Sequence, residues 1–321
     1  MKKLLFVYNP HSGTGTIPKY LSEILTILTA GGYDVTVHPT AAPLDGQNYI
    51  MENGRNYDII VSGGGDGMLH ELINAVISSD CGKPCGYIPA GTVNDYAGSL
   101  GIPKDIARAA HNIVNGEFIS VDAGKFGEKY FSYIAAFGMF TDVSYSTDQK
   151  VKNIFGAAAY LMNAVKSLDL KKFNATSSYM TITAENGEEL SGDFIFGLCG
   201  NTYSVGGLQN VVPYNADMQD GLLDGLFIRT PRNPLELQSI NFALLNRKFD
   251  DCEFITCMQS HSFTIRSEKN IAWTLDGEEG GTTTEVTLSA VKAAYEIAVP
   301  PRVTSPLRLI PEKSEFPGQS E

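Results

Sequence analysis

The chain has 321 residues, 43% of them hydrophobic and 19% charged, which excludes a disordered or fibrous protein and leaves room for two ordinary domains. Its formal net charge of -12 argues against a nucleic-acid-binding protein, because phosphate neutralisation needs clustered lysine and arginine. The same charge predicts that any membrane contact is local, since anionic lipid would not attract the molecule as a whole.

Strands and helices alternate along the first third of the chain. The hydrophobic pattern predicts strands at 4–8, 33–40, 58–61 and 86–88, and helices at about 18–30, 47–53, 68–78 and 106–115. Such alternation is typical of a parallel sheet with helices on both faces, in which ligands bind at the carboxyl ends of the strands.

A glycine-rich loop, residues 62–67, connects the predicted strand at 58–61 to the next helix. Glycines let a backbone approach a ligand closely, and the amino end of a helix attracts anions such as phosphate. Because Asp66 would repel a bare polyphosphate, the loop favours a metal-bound nucleotide. It matches neither the P-loop nor the dinucleotide fingerprint, where a glycine would replace Met68.

Two more polar loops follow strands of the same predicted sheet. One is residues 9–15, after the first strand, and the other is residues 89–95, after the fourth. Since parallel strands end at one edge of a sheet, we expect all three loops to converge there.

The pattern becomes alternating β sequence after residues 119–122, which predicts a second, antiparallel domain. Its predicted strands are 129–137, 179–184, 193–199, 222–229, 253–260, 262–267, 270–275 and 285–291. One helix, at about 151–168, is expected to interrupt them. The predicted boundaries are a first domain at 1–123, a second at 124–293, a segment of about 294–312 that is a candidate to return to the first, and a mobile tail at 313–321.

Neither a signal peptide nor a run of eighteen apolar residues is visible, which favours a cytoplasmic protein. The five cysteines are odd in number, and Cys81 and Cys85 lack a second pair to complete a zinc site. We interpret them as reduced packing residues.

Five short segments occur in the order typical of one family and span nearly the whole chain. They are Asn9-Pro10-His11-Ser12-Gly13, Gly64-Gly65-Asp66-Gly67, Pro89-Ala90-Gly91-Thr92-Val93-Asn94-Asp95-Tyr96-Ala97, Asp217-Met218-Gln219-Asp220-Gly221-Leu222 and Leu275-Asp276-Gly277-Glu278. Through them the sequence resembles the diacylglycerol kinase catalytic-domain family, in particular soluble bacterial lipid kinases that are similar to sphingosine and ceramide kinases.

The resemblance implies an α/β fold with an N-terminal Rossmann-like doubly wound domain and a C-terminal antiparallel β-sandwich-like domain. It also implies an ATP- and Mg2+-dependent lipid kinase, which transfers the γ-phosphoryl group to a lipid hydroxyl to give a phospholipid such as phosphatidic acid. The first candidate for the acceptor is diacylglycerol or a related lipid. The lipid would enter the cleft between the domains.

The resemblance assigns nucleotide binding to the three loops and the residues near them. The implied residues are Asn9, Ser12, Gly13, Thr40, Gly64, Gly65, Asp66, Gly67, Met68, Leu69, His70, Thr92, Asn94 and Asp95. Two of them depart from the family, which usually has threonine in place of Met68 and asparagine in place of His70. We expect an altered ATP affinity rather than inactivity, since backbone amides can still bind phosphate.

Asp276 is the candidate catalytic base. By turn chemistry alone, Asp276-Gly277 between two β runs indicates a hairpin turn. The resemblance favours the base: Asp276 would accept the proton of the lipid hydroxyl, while Glu278 orients it or helps to hold the metal.

A second acidic segment, with Asp217, Asp220 and the backbone carbonyl of Leu222, is implied as a magnesium site separate from the nucleotide. Oxygen ligands suit this hard cation. The alternative is a solvated acidic turn, because the spacing fails the EF-hand pattern at Gln219 and Gly221.

Residues 150–172 combine an apolar stripe with five lysines, which is compatible with a surface helix that contacts a membrane or with an ordinary packed helix. The expected partner is therefore lipid at a membrane surface, with transient peripheral association and no nucleic acid. A homodimer is left open.

Two other functions remain as alternatives. An NAD kinase shares a Gly-Gly-Asp-Gly loop, and a regulator that binds nucleotide without catalysis would explain Met68. A dinucleotide-dependent oxidoreductase fails on the incomplete fingerprint.

Overall fold

In a computed structural model of the chain, the structure describes residues 1–92, 94–138, 177–201, 204–205, 208–209 and 217–301. The strands are β1 Lys2–Tyr8, β2 Tyr33–Pro39, β3 Ile59–Gly64, β4 Cys85–Pro89, β5 Glu117–Phe126, β6 Lys129–Phe131, β7 Ile134–Gly138, β8 Ser178–Ala184, β9 Glu189–Gly200, β10 Ser204–Val205, β11 Leu208–Gln209, β12 Leu223–Arg229, β13 Ile255–Ser260, β14 Ser262–Leu275 and β15 Glu278–Val299. The helices are α1 Thr16–Ala30, α2 Asp45–Asn53, α3 Asp66–Ser78, α4 Asp95–Ser99, α5 Ile106–Asn115 and α6 Pro234–Asn246, with a short 3-10 turn at Gly54–Asn56.

The amino-terminal half is a parallel sheet in the order β4-β3-β1-β2, covered by helices on both faces. Side chains alternate across β1, so that Leu4 and Phe6 pack with α1 and α5, whereas Leu5 and Val7 pack with α2 and α3. Burying each of these large side chains contributes about 1.5–3 kcal/mol. Strands β1, β3 and β4 are buried along most of their length because both faces of the sheet are covered, whereas the edge strand β2 is partly exposed.

The carboxyl-terminal half is antiparallel, in the order β13-β12-β9-β7-β14-β15, with β8 paired to β14 and β9. Its core is rich in aromatic side chains, including Phe137, Phe227 and Trp273, each at most 1% exposed. The predicted α/β class, with a doubly wound first half and a β-sandwich-like second half, is confirmed.

Strand β15 belongs to both halves. It forms a hairpin with β14, pairs antiparallel with β5, and meets β4 in parallel where Ile297 pairs with Cys85. The register shifts between Val291 and Tyr295, where Ala293 has a φ of 50°. The last residues of β15 therefore lie in the amino-terminal sheet, while the domain boundaries themselves stay predictions.

Several element predictions were wrong. The run predicted as one strand at 129–137 forms two strands, β6 and β7, and strand β5 was not predicted. Helix α6 was missed, although the Asn233 side chain caps it by accepting hydrogen bonds from the amides of Leu235 and Glu236, and Pro234 opens its first turn. The runs predicted as separate strands at 262–267 and 270–275 form one strand, β14, with an irregularity between them.

The helix predicted at about 151–168, the basic and apolar segment at 150–172 and the tail at 313–321 lie outside the described residues. Within the described part of the chain, no helix is long and apolar enough to span a bilayer.

Candidate active-site cleft

A cleft of about 820 Å³ opens at the carboxyl edge of the parallel sheet, beside β1. The strand order reverses there, because β1 has β2 on one side and β3 on the other. Open α/β sheets bind ligands at this kind of switch point. The cleft is lined by Asn9, His11, Ser12, Thr40, Ala41, Ala42, Pro43, Leu44, Gln47, Gly65, Gly67, Met68, His70, Glu71, Asn74, Lys129, Leu275, Glu278 and Glu279.

The first loop, which follows β1, is fixed by its own backbone and by β3. The Asn9 amide donates to the Gly63 carbonyl (3.0 Å), and the His11 amide donates to Asn9 Oδ1 (2.8 Å). Gly13 has a φ of +59°, and a Cβ built on it would lie 2.5 Å from the Ala90 carbonyl oxygen. Only glycine allows this loop to pack so closely on the end of β4.

The second and third loops meet at Gly65 and Gly91. A Cβ built on Gly91 would lie 2.6 Å from the Gly65 Cα, and the Ala90 amide donates to the Gly64 carbonyl (2.7 Å). Asn94 holds the third loop through its side-chain oxygen and nitrogen, which bond the Gly91 amide (2.9 Å) and carbonyl (2.7 Å). The three loops therefore converge, as expected.

Helix α3 turns a polar stripe towards the cleft. Gly67, His70, Glu71 and Asn74 recur at intervals of three and four residues and all line the cleft. The first turn of α3 also faces the cleft, which suits it to bind an anion.

Glu71 ties α3 to the beginning of α2. Its Oε1 accepts from the Leu44 amide and its Oε2 from the Gln47 amide, both at 3.1 Å. Burial raises the pKa of the Glu71 carboxyl, although the two amide bonds oppose the shift.

Asp276 begins the turn between β14 and β15, with a φ of 50°, and Gly277 follows with a φ of 96°. The Asp276 side chain is only 1% exposed. Its Oδ2 accepts from the Ser132 amide (2.6 Å), and its Oδ1 accepts from the amides of Tyr133 and Ile134 (both 3.0 Å). The carboxylate thus anchors the turn to the segment between β6 and β7 and does not line the cleft.

Glu278 lies on the cleft side of the same turn. It lines the cleft, and a Cβ built on Gly67 would lie 3.2 Å from Glu278 Oε1, which places this carboxylate beside the first turn of α3. Of the two predicted catalytic carboxylates, Glu278 is the one that an entering substrate can reach.

His70 connects the anchored carboxylate to the cleft. Its Nδ1 lies 2.9 Å from Asp276 Oδ2, and its side chain is 13% exposed. Burial lowers the pKa of the imidazole, but the hydrogen bond and charge of Asp276, together with the charges of Glu278 and Glu71, outweigh burial, so the pKa is raised above 6.5.

The predicted nucleotide residues fall into two groups. Those that line the cleft are Asn9, Ser12, Thr40, Gly65, Gly67, Met68 and His70. The described residues that do not line the cleft are Gly13, Gly64, Asp66, Leu69, Thr92 and Asn94. The side chain of Asp95 lies outside the part of the chain that the structure describes. Leu69 is 1% exposed and belongs to the core, and Met68 is 5% exposed with its side chain packed beside Gly64.

Six charged or polar cleft residues were missed: Glu71, Asn74, Lys129, Glu279, His11 and Gln47. Helical spacing from Gly67 would have found the first two, because residues three, four and seven positions along a helix share a face. For Lys129 the sequence carries no such signal. Its Nζ bonds the carbonyls of Glu279 (3.3 Å) and Gly280 (3.4 Å), which are 150 residues distant or more.

The acidic segment at 217–222 folds into a turn. The Asp217 carboxylate accepts from the Gln219 amide (3.0 Å), and the Asp220 carboxylate accepts from the Leu222 amide (2.8 Å). Burial raises the pKa of Asp220, and the charges of Asp217 and Asp122 add to this shift. A cation would relieve this repulsion, so the residues fit a magnesium ion.

Metal binding at this turn nonetheless stays a prediction. Across the described residues, no three histidine, cysteine or acidic side chains gather as a metal-binding set. The predicted site has only two such side chains, Asp217 and Asp220, and its third ligand is a backbone carbonyl.

Comparisons with known proteins cover both halves of the chain. Residues 3–126 match the family model described as the diacylglycerol kinase catalytic domain, and residues 134–299 match the one described as the YegS C-terminal NAD kinase beta sandwich-like domain. A diacylglycerol kinase of Bacillus subtilis (strain 168) is 29% identical over 284 residues, which are 88% of this chain and 91% of the relative.

A diacylglycerol kinase of Staphylococcus aureus (strain JH9) is 31% identical over 285 residues, which are 87% of either chain. The crystal structure of a diacylglycerol kinase from Bacillus anthracis str. Sterne has the same fold, with a TM-score of 0.73 at 21% identity over 94% of this chain and 97% of that chain.

Proposed function

Because the chain belongs to the diacylglycerol kinase catalytic-domain family and is a lipid kinase, we propose that it transfers the γ-phosphoryl group of magnesium-bound ATP to a lipid hydroxyl, with diacylglycerol as the first candidate. The product would be a phospholipid such as phosphatidic acid. The observation that supports this most is the carboxylate of Glu278 beside the first turn of α3, in a cleft lined by the glycine loop.

The cleft has the features that a nucleoside triphosphate requires. Its volume of about 820 Å³ is in the usual range for small-molecule sites, and its glycines let backbone amides approach phosphate oxygens. Asn9, Ser12 and the first turn of α3 would bind the phosphates. The carboxylates of Glu71 and Glu278 would repel a bare polyphosphate, so the metal-bound form fits better.

Phosphoryl transfer needs alignment and a proton acceptor near the attacking hydroxyl. In this proposal Glu278 accepts that proton. The Asp276 carboxylate accepts hydrogen bonds from three backbone amides and so holds in place the turn that carries Glu278. The roles predicted for these two residues are thus exchanged. The lipid oxygen then bonds to the γ-phosphorus while the bond from phosphorus to the β-γ bridging oxygen breaks.

The test is transfer of label from γ-labelled ATP, with magnesium, to lipids in mixed micelles. The acceptors are diacylglycerol, phosphatidylglycerol, a sphingoid base, ceramide and an isoprenoid alcohol. NAD is included because the description of the second matched family model names an NAD kinase beta sandwich-like domain. Label in a lipid product supports the proposal. Label in NAD alone, or in no acceptor, contradicts it.

The Glu278→Gln variant tests the proton acceptor. We expect kcat to fall by about 10²–10⁴-fold, which is the usual contribution of a general base, with little change in stability. The matched control is Glu128→Gln, which changes an exposed carboxylate in the turn between β5 and β6. A wild-type rate for Glu278→Gln would rule out this assignment.

The proposal includes three further statements. The lipid lies at a membrane surface, the enzyme is cytoplasmic with transient membrane association, and the chain forms a homodimer. Co-sedimentation of the chain with diacylglycerol-containing vesicles tests the first two, and sedimentation equilibrium tests the third. Absence of vesicle binding, or a monomer at all concentrations, would remove the corresponding statement.

A further inference from the structure

His70 is a titratable side chain in the cleft to which the proposed reaction gives no role. One edge of its ring is held in place, since Nδ1 lies 2.9 Å from Asp276 Oδ2 and that carboxylate is itself fixed by backbone amides. The ring also lines the cleft and is 13% exposed, so it lies between the anchored carboxylate and the space that the substrate would fill.

The amide of Asn74 lies against the other side of the ring. Its Oδ1 accepts from the Tyr130 amide (3.0 Å), and its Nδ2 donates to the carbonyls of Tyr130 (2.9 Å) and His70 (3.0 Å). These three bonds fix which end of the amide is the oxygen. They use both hydrogens of Nδ2, which lies 3.3 Å from His70 Nε2. The hydrogen bond at Nδ1 therefore positions the His70 ring, and Asn74 only contacts the ring at Nε2.

Carboxylates outnumber cations around His70. Asp276 faces it from the β14–β15 turn and Glu278 from β15, and Glu71 follows it directly on α3. All three favour the imidazolium and raise the pKa of His70 above 6.5, although burial opposes them.

The other charged groups of the cleft add little to the effect of these three carboxylates on His70. From β6, Lys129 is the one lysine or arginine among the described residues that line the cleft, and its Nζ is bonded to backbone carbonyls of β15. Glu279, also on β15, adds one more carboxylate to the cleft lining. A bound triphosphate would add further negative charge and would favour the imidazolium more strongly.

We propose that His70 is a positioning residue of the kinase, whose imidazolium offsets the repulsion between the Glu278 carboxylate and the bound nucleoside triphosphate. This inference rests on the proposed function, because it requires a triphosphate in the cleft. His70 acts through its charge, and its hydrogen bond to Asp276 fixes where that charge lies.

The sign of the pH dependence follows from the direction of the shift. The imidazolium is complete below pH 6.5 and is lost as the pH rises through the raised pKa of His70. Affinity for MgATP should therefore fall as the pH rises through that pKa. A residue that acted as a neutral base would give the opposite dependence, with function lost towards acid.

The decisive variant is His70→Asn, because the asparagine amide nitrogen can replace Nδ1 as the donor to Asp276 while the charge is removed. We expect its dissociation constant for MgATP at pH 6 to be about tenfold higher than that of the wild type, near the lower end of what a hydrogen bond to a charged group contributes. The two affinities should converge as the pH rises through the raised pKa of His70. The matched control is His111→Asn, which changes an exposed histidine of α5.

Binding is measured by calorimetry without lipid, and KM, kcat and the urea midpoint are measured beside it. An equal affinity of the two proteins at every pH overturns the proposal. A lowered urea midpoint with an unchanged pH profile also overturns it and leaves a structural role. Because calorimetry needs no acceptor, failure to phosphorylate any lipid would remove the proposed function, whereas an unchanged pH profile of MgATP binding would remove only this inference.

Discussion

Replacing Asp276 by asparagine separates an anchoring role from a catalytic one. Asparagine keeps the shape and one acceptor oxygen, so the bonds from the Tyr133 and Ile134 amides to Oδ1 can persist. An NH2 group replaces Oδ2, however, and faces the Ser132 amide and His70 Nδ1, which both approach that oxygen. Two hydrogen bonds to a buried charge are lost, and donors are brought against donors.

The expected cost follows from these two bonds. Each hydrogen bond to a charged group contributes about 1.5–3 kcal/mol, so Asp276→Asn should lower the free energy of unfolding by about 3–6 kcal/mol. This is a large part of the about 5–15 kcal/mol that is usual for a folded protein. With a urea m-value of about 3 kcal/mol/M, the midpoint should fall by about 1–2 M.

The assay is urea unfolding followed by tryptophan fluorescence, since Trp273 is buried three residues before Asp276. The control is Asp34→Asn, which changes an exposed carboxylate of β2 and should leave the midpoint unchanged. An Asp276→Asn protein that unfolds at the wild-type midpoint but has lost phosphoryl transfer would refute the reasoning, and would return Asp276 to the role of proton acceptor.

Two further substitutions test the loops. Gly91→Ala would place a Cβ 2.6 Å from the Gly65 Cα, so we expect the loops to separate and KM for ATP to rise about tenfold or more. The control is Gly98→Ala, which has open space at its Cβ and should leave KM unchanged. Equal KM values for the two variants would contradict the convergence of the loops. Asp220→Asn should abolish any rise in melting temperature on adding magnesium if Asp217, Asp220 and Leu222 bind the ion, and an undiminished rise would exclude this turn as its site.

The elements that local patterns determine were predictable. The loops after β1 and β3 could be placed because a short apolar strand ends at Asn9-Pro10 in one case and at a glycine run in the other. Their convergence followed from the parallel sheet. Helix α6 was missed because it is apolar on both faces: Leu237 is buried, whereas Leu235 and Phe242 are 74% and 60% exposed, so no amphipathic period marks it.

The roles of Asp276 and Glu278 could not be assigned in the same way. Which carboxylate reaches the cleft depends on amides contributed by Ser132 and its neighbours, about 144 residues away in the chain. No local pattern encodes such a partner. The cleft position of Glu71, in contrast, was available from helical spacing.

The 22 residues of β15 run from the cleft into the sheet of the amino-terminal half. Although two family models divide the sequence near residues 126–134, the piece before that point would expose the backbone edges of β4 and β5 that β15 now covers. A protein fragment that ends at that boundary would thus be prone to aggregate through these exposed strand edges. The intact polypeptide should melt in a single cooperative step, because neither half can lose its structure without stripping hydrogen bonds from the other.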